Sequence, residues 1–246
     1  MINTIFPAGH KGYQDVAKPD SDPKLAYIKG YSCPYCKKQF NGYKVFQSKL
    51  YESKPMRYDL RKFYRDFRQE WYDVIICPHC YFSTFYTYYA DPKSVMKPKI
   101  ETELKDAQSM IALNFEAERN IDFVFASHYL ALICAPGYLS THKQLSAKLW
   151  GNLSWLYEDV EDEEMTRLAA SNAADAYAKV YTEERLNPVQ EQAVCMSAAG
   201  MLYRAGRGDE ADLKKFLYNV KTIKMGQKAY AELAEDLMEM LTQPGL

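Results

Sequence analysis

The 246-residue chain is poor in the groups that common enzyme classes need. Its 4 histidines, at positions 10, 79, 128 and 142, fall inside no nucleophile or metal-protease motif. Its 11 glycines form no phosphate-cradling loop, and no signature of an RNA- or DNA-binding fold is present. No stretch approaches the roughly 20 apolar residues of a membrane span. The amino-terminal residues show no apolar run behind a basic start, so no signal peptide is expected. These absences weigh against a hydrolase, a nucleotide-dependent enzyme and a membrane protein. The expectation is a cytoplasmic protein that touches no membrane and is not an enzyme.

What is present is a composition of 48% hydrophobic and 26% charged residues, enough for a substantial core in one or two domains. The net charge of -1 conceals an asymmetry. Residues 1–100 hold 17 Lys and Arg against 9 Asp and Glu, and the rest hold 14 against 23. Of the 21 tyrosines, 13 lie in the first hundred residues. Two halves of opposite sign and different texture predict two domains, with a boundary between Asp91-Pro92 and Lys97-Pro98-Lys99.

The chemistry is concentrated in Cys33-Pro34-Tyr35-Cys36 and Cys77-Pro78-His79-Cys80. Two residues between sulfurs let one tight turn aim both at a single point, and two such turns make a tetrahedral four-sulfur cage. Cys33, Cys36, Cys77 and Cys80 are therefore the expected ligands of one structural Zn²⁺, with iron as the alternative. Four thiolates close the coordination shell and leave no position for a catalytic water. His79 lies between two ligands, so its ring should point away from the metal. Cys134 and Cys195 sit in apolar helical patterns, and free thiols beside CxxC pairs fit a reducing compartment.

Along the chain, residues 1–26 read as an irregular arm punctuated by Pro7, Gly9, Gly12, Pro19 and Pro23. Residues 27–92 read as the zinc-knuckle β domain, with Asn41-Gly42 as a hairpin turn and Trp71–Ile76 as a strand running into Cys77. Between the knuckles, Arg57, Arg61, Arg65 and Arg68 recur beside Leu60, Phe63, Phe67 and Trp71. As a helix this segment presents a basic face and an aromatic face, a surface suited to RNA. The alternative is an aromatic face docked on the zinc domain, with the arginines solvated or paired to the acidic helical half. Residues 99–242 read as seven helices, near 99–116, 120–134, 141–158, 162–182, 188–205, 209–223 and 227–242. Asn187, Pro188 and Gln190 form a capping-box start. Trp150, Leu153 and Tyr157, then Gly200, Tyr203 and Phe216, follow tetratricopeptide spacing. The expected fold is α+β: a small zinc-ribbon or rubredoxin-like β domain followed by a mostly α, tetratricopeptide-like domain.

The blocks CPYC (33–36), FQSKL (46–50), WYDVIICPHC (71–80), YLALICA (129–135), LSWLYEDVEDEE (153–164) and MLYRAGRGDEA (201–211) resemble, in content and order, the uncharacterised bacterial family catalogued as domain of unknown function 2225. That resemblance implies zinc knuckles followed by tetratricopeptide-like helices, with the same four cysteines as ligands. Lys37 and Tyr81 stand where the family usually has glycine after each knuckle. The functional expectation is a zinc-stabilised adaptor whose helical half binds a partner protein or peptide. RNA binding through residues 57–71 is the first alternative and a thiol redox sensor the second.

Overall fold

The computed structural model describes residues 5–13, 25–90, 95–115, 119–138, 141–209 and 211–242. The chain forms two compact units, one of residues 1–53 and 63–145 and the other of residues 54–62 and 146–246. This division corrects the expected boundary. Residues 91–99 fall inside the first unit, and of the chain between the knuckles only residues 54–62 belong to the second.

Among the described residues the strands form three two-stranded ladders. Strands β1 (Ala26–Ser32) and β2 (Gln39–Val45) pair antiparallel, from Ala26 opposite Val45 to Ser32 opposite Gln39. The hairpin connection is the first knuckle itself. Asn41 and Gly42, expected in a turn, lie inside β2 opposite Gly30 and Lys29. Glycine serves there for close approach, since a Cβ on Gly42 would come 3.3 Å from the Tyr31 ring. Strand β3 (Glu52–Lys54) pairs with β4 (Phe63–Tyr64). The stretch expected as one strand is a single turn of helix, α1 (Glu70–Asp73), followed by β5 (Val74–Ile76). Strand β5 pairs antiparallel with β6 (Ser83–Phe85) across the second knuckle.

A short helix, α2 (Tyr86–Ala90), follows β6. Helices α3 (Glu101–Met110) and α4 (Ile121–Cys134) then complete the unit. Helix α3 ends six residues before the expected limit of 116, and residues 116–118 lie outside the described residues. Helix α4 is buried nearly all round and packs on β5 and β6. Residues such as Val124, Phe125, Leu130 and Cys134 have no exposed surface. A helix apolar on every side has to be a core element, so α4 supports the knuckle sheet and is not a repeat helix. Of the expected arm, residues 5–13 contain no helix or strand. Phe6 stacks on His10 at 4.1 Å, His10 lies edge-on to Phe125, and the Tyr13 N–H donates to Asp122. The rest of the arm, residues 1–4 and 14–24, lies outside the described residues.

Helix α5 (His142–Asp159) crosses the division after Leu145. The second unit continues with α6 (Glu163–Glu183), α7 (Pro188–Arg204), α8 (Ala211–Thr222) and α9 (Lys228–Thr242). Helix α6 packs on α7, α7 on α8, and α8 on α9. Small residues permit the first contact: Ala170, Ala173 and Ala174 meet Ala198 and Ala199 in the same core. The caps match the expectation. The Asn187 side chain accepts from the Gln190 N–H at 2.9 Å, and Gln190 Oε1 accepts from the Asn187 N–H at 3.1 Å. Small hairpins in the first part and helices in the second make the protein α+β.

Candidate metal centre

Each knuckle is built by backbone hydrogen bonds that close a turn around its first cysteine. The Cys33 N–H donates to the Lys38 carbonyl at 3.0 Å, and the Lys37 N–H returns to the Cys33 carbonyl at 2.9 Å. The second knuckle repeats this, Cys77 N–H to Phe82 and Tyr81 N–H to Cys77, both at 2.9 Å. The turn demands a left-handed residue directly after each second cysteine. Lys37 and Tyr81 supply it at φ 66° and 57°. Non-glycine residues thus hold a left-handed conformation in both turns, at about 1–2 kcal/mol of strain each.

The two turns bring all four sulfurs within 4.8 Å of one another. The first sulfur of each turn meets the second of the other, Cys33 to Cys80 and Cys36 to Cys77, both at 3.7 Å. A tetrahedron with Zn–S bonds of about 2.3 Å has edges of about 3.8 Å, so the donor set fits a tetrahedral thiophilic ion. Cys33, Cys77 and Cys80 are buried, Cys36 is half-buried, and all six cysteines are free thiols. Electrostatics agree with this fit. Contacts from the Cys77 and Cys80 thiols pull the Cys33 sulfur strongly toward thiolate. Those same contacts to Cys33 push Cys77 up to about 12 and Cys80 well above its usual range. Cys77 and Cys80 thus resist ionisation beside Cys33, and a bound cation would relieve that resistance.

Sequence patterning did not reveal the packing around the cage. Tyr31, Phe40, Phe82, Tyr89 and Tyr138 form one core with the cysteines. Tyr35 stacks parallel to Phe82 at 5.9 Å. The Tyr89 hydroxyl donates to the Phe82 carbonyl, the same oxygen that accepts from the Cys77 N–H. Gln108 Nε2 of α3 donates to the Cys80 carbonyl at 2.7 Å. Cys134 is outside the cage and buried, and its sulfur accepts from the Ser83 N–H at 3.4 Å. Burial pushes its thiol up to about 12. The only sequence signal for this shell was the crowding of aromatics around the knuckles. His79 points away from the sulfurs as expected, with Nε2 3.2 Å from the Gln39 carbonyl.

The four arginines do not form a helical face. Arg57 and Arg61 lie in a loop of the second unit, whereas Arg65 and Arg68 lie in the first. Arg57 is doubly bidentate, to Asp59 at 2.9 and 2.7 Å and to Glu158 at 2.8 and 2.9 Å. Arg61, 3% exposed, reaches Glu158 at 2.7 Å and Asp159 at 2.6 Å. Arg204 adds a third guanidinium, 3.0 Å from Glu158 and 3.2 Å from Asp59. Trp155 Nε1 donates to Asp59 at 2.8 Å. Three guanidiniums and three carboxylates balance, and a buried arginine committed to carboxylates has no valence left for a phosphate. The aromatic side is also occupied, with Phe67 and Trp71 buried in the first unit. Pairing to the acidic helical half thus accounts for Arg57 and Arg61, and the expected basic-aromatic helix does not form. Gly200 makes the docking of this loop close. A Cβ there would sit 2.6 Å from both the Asp59 Cα and the Tyr58 carbonyl oxygen.

No helix among the described residues is long and apolar enough to cross a membrane. Among curated proteins and among solved structures, none matches the chain. A family profile described as "uncharacterized protein conserved in bacteria (DUF2225)" matches residues 26–241, which include both knuckles and the helices through most of α9. With that span matched and the four sulfurs gathered at one point, the chain belongs to this family.

Proposed function

We propose that the protein is a non-catalytic, zinc-stabilised adaptor. The observation that carries this reading is the donor set: four cysteine sulfurs, with no oxygen or nitrogen ligand among the described residues, enclosed by an aromatic core. Zinc bound to four thiolates supplies a rigid crosslink and offers no open position for water or substrate. Cys33 and Cys36 would hold it from one hairpin, and Cys77 and Cys80 from the other. The aromatic shell excludes solvent, and the backbone bonds to Phe82 and Cys80 keep the second turn in register.

The helical unit is the adaptor surface in this reading, with tetratricopeptide-like pairs binding a protein segment. Its own loop at residues 54–62 supports the idea, since the unit already accommodates a turn of peptide through Gly200 and three arginine–carboxylate contacts, Arg57 and Arg61 with Glu158 and Arg204 with Asp59. Exposed Leu168, Val189 and Tyr218 offer further apolar contact on α6, α7 and α8. Six free thiols fit a reducing compartment such as the cytoplasm.

Native mass spectrometry with elemental analysis tests the metal. One zinc per chain is expected, lost in Cys33→Ser and Cys77→Ser. Iron or no metal in reduced, chelator-free protein would overturn it. For the adaptor role, a photo-crosslinking residue at Tyr218 should capture one recurrent protein that a Leu168→Asp, Val189→Asp variant fails to capture. Crosslinks unchanged by those substitutions would count against it.

A further inference from the structure

A second site, whose lining contains no cysteine, lies in the first unit around Arg119. Its Nη2 donates to the Val74 carbonyl at 2.9 Å, and its guanidinium lies 4.8 Å from the Phe123 ring centre. Its Nε is buried and has no hydrogen-bond partner. No carboxylate among the described residues pairs with it. Burial lowers it only to about 10, so at neutral pH it remains a cation. All the other arginines found in the buried cluster of the second unit have carboxylates. Arg119 is half-buried with no carboxylate partner among the described residues, and its orphaned, buried Nε donor calls for a partner.

Arg119 lines a cavity of about 350 Å³ together with Asn41, Tyr43, Ile75, Phe115 and Phe123. The walls are rings held by one another. Tyr43 lies edge-on to Tyr72 at 5.7 Å, and Phe115 edge-on to Phe123 at 5.6 Å. That volume is at the small end of ligand pockets, and such pockets combine apolar walls with few polar anchors. A guanidinium fork matches a carboxylate in two parallel hydrogen bonds. One cation balances one negative charge, which favours a monoanion over a phosphate dianion. We propose that this cavity binds a small organic carboxylate, with its charged end on Arg119 and its apolar body between Tyr43, Phe115 and Phe123.

The test uses the full chain with its metal and three probes. Benzoate carries both halves of the proposed ligand, benzamide lacks the charge, and inorganic phosphate lacks the apolar body. Arginine side-chain NMR should show the Arg119 Nε–H resonance moving saturably with benzoate. Benzamide should bind at least tenfold more weakly, and phosphate should give no saturable shift. Arg119→Met should abolish benzoate binding, and Phe115→Ala, at a half-exposed wall position, should weaken it about fivefold. The wild-type resonance decides the matter even if Arg119→Met fails to fold. An Arg119 signal unmoved by benzoate, equal response to benzamide or phosphate, or binding retained in Arg119→Met would overturn the assignment.

Discussion

Glu158 is the shared carboxylate of the second unit, and replacing it tests the ion cluster directly. It accepts from Arg57 through both oxygens and from Arg61 and Arg204 as well. Burial alone would push its carboxyl up, but Arg57 and Arg204 reverse that and hold it at about 2 against an ordinary 4.5. A difference of that size corresponds to about 3 kcal/mol at 1.36 kcal/mol per pH unit. The side chain is 35% exposed, so solvent screening cuts the figure to about 1.5–2 kcal/mol. Because the folded-state value lies below the unfolded one, this stability is complete above pH 4.5. It is lost as pH falls from 4.5 through 2. Glu158→Gln keeps the shape and removes the charge. Urea unfolding followed by tryptophan fluorescence, to which Trp155 contributes, should show the variant about 2 kcal/mol less stable at pH 7. Between pH 4.5 and pH 2 the gap should close, because the wild-type carboxylate protonates there. A variant as stable as wild type at pH 7, or a gap unchanged at pH 3, would refute the reasoning.

Gly200→Ala should destabilise the same unit by about 1–3 kcal/mol in urea, because its Cβ would meet loop backbone, which cannot rotate away; wild-type stability would contradict the docking. Lys37→Gly should stabilise the first unit by about 0.5–1 kcal/mol by relieving the left-handed strain, less what glycine adds to unfolded-chain entropy. Tyr81→Gly should be destabilising despite the same φ, since the Tyr81 ring packs on Phe115 and its hydroxyl accepts from Leu113 N–H. Thermal melts at fixed zinc compare the two. His128 is fully buried, and burial lowers it to about 4 from 6.5. The unfolded chain therefore takes up the proton first, and the first unit should lose about 2 kcal/mol between pH 7 and pH 5. His128→Gln should flatten that slope in hydrogen exchange of α4, and an unchanged slope would assign it to another group.

The cage was readable because its rule is local: two residues between sulfurs fix a turn, and a second such turn meets the first. Caps are local too, so Asn187 and Gln190 marked the start of α7 correctly. The same holds for the register of α5 to α9, whose apolar stripes repeat within a few turns. The arginine segment failed for the opposite reason. Its carboxylate at Glu158 lies 101 residues beyond Arg57, and an arginine spaced for a helix looks the same whether it faces water or a distant acid. Asp59, between Arg57 and Arg61, and the Glu158-Asp159 pair were the available hints. Asn41-Gly42 misled because a turn-favouring dipeptide also suits a strand that must pass close to an aromatic ring. Helix α4 misled because continuous apolarity states burial but not which sheet or helix provides the cover.

The path of residues 54–62 bears on how the protein can be made and divided. Asp59 leaves the ribosome some 140 residues ahead of Gly200, at synthesis rates of about 5–20 residues per second. The loop must therefore wait, for seconds, for the helix that receives it. A fragment beginning at residue 146 would lack this peptide and leave Glu158 and Arg204 without Arg57, Asp59 and Arg61. Any expression clone of the helical unit therefore has to supply the nonapeptide separately or keep the whole reading frame.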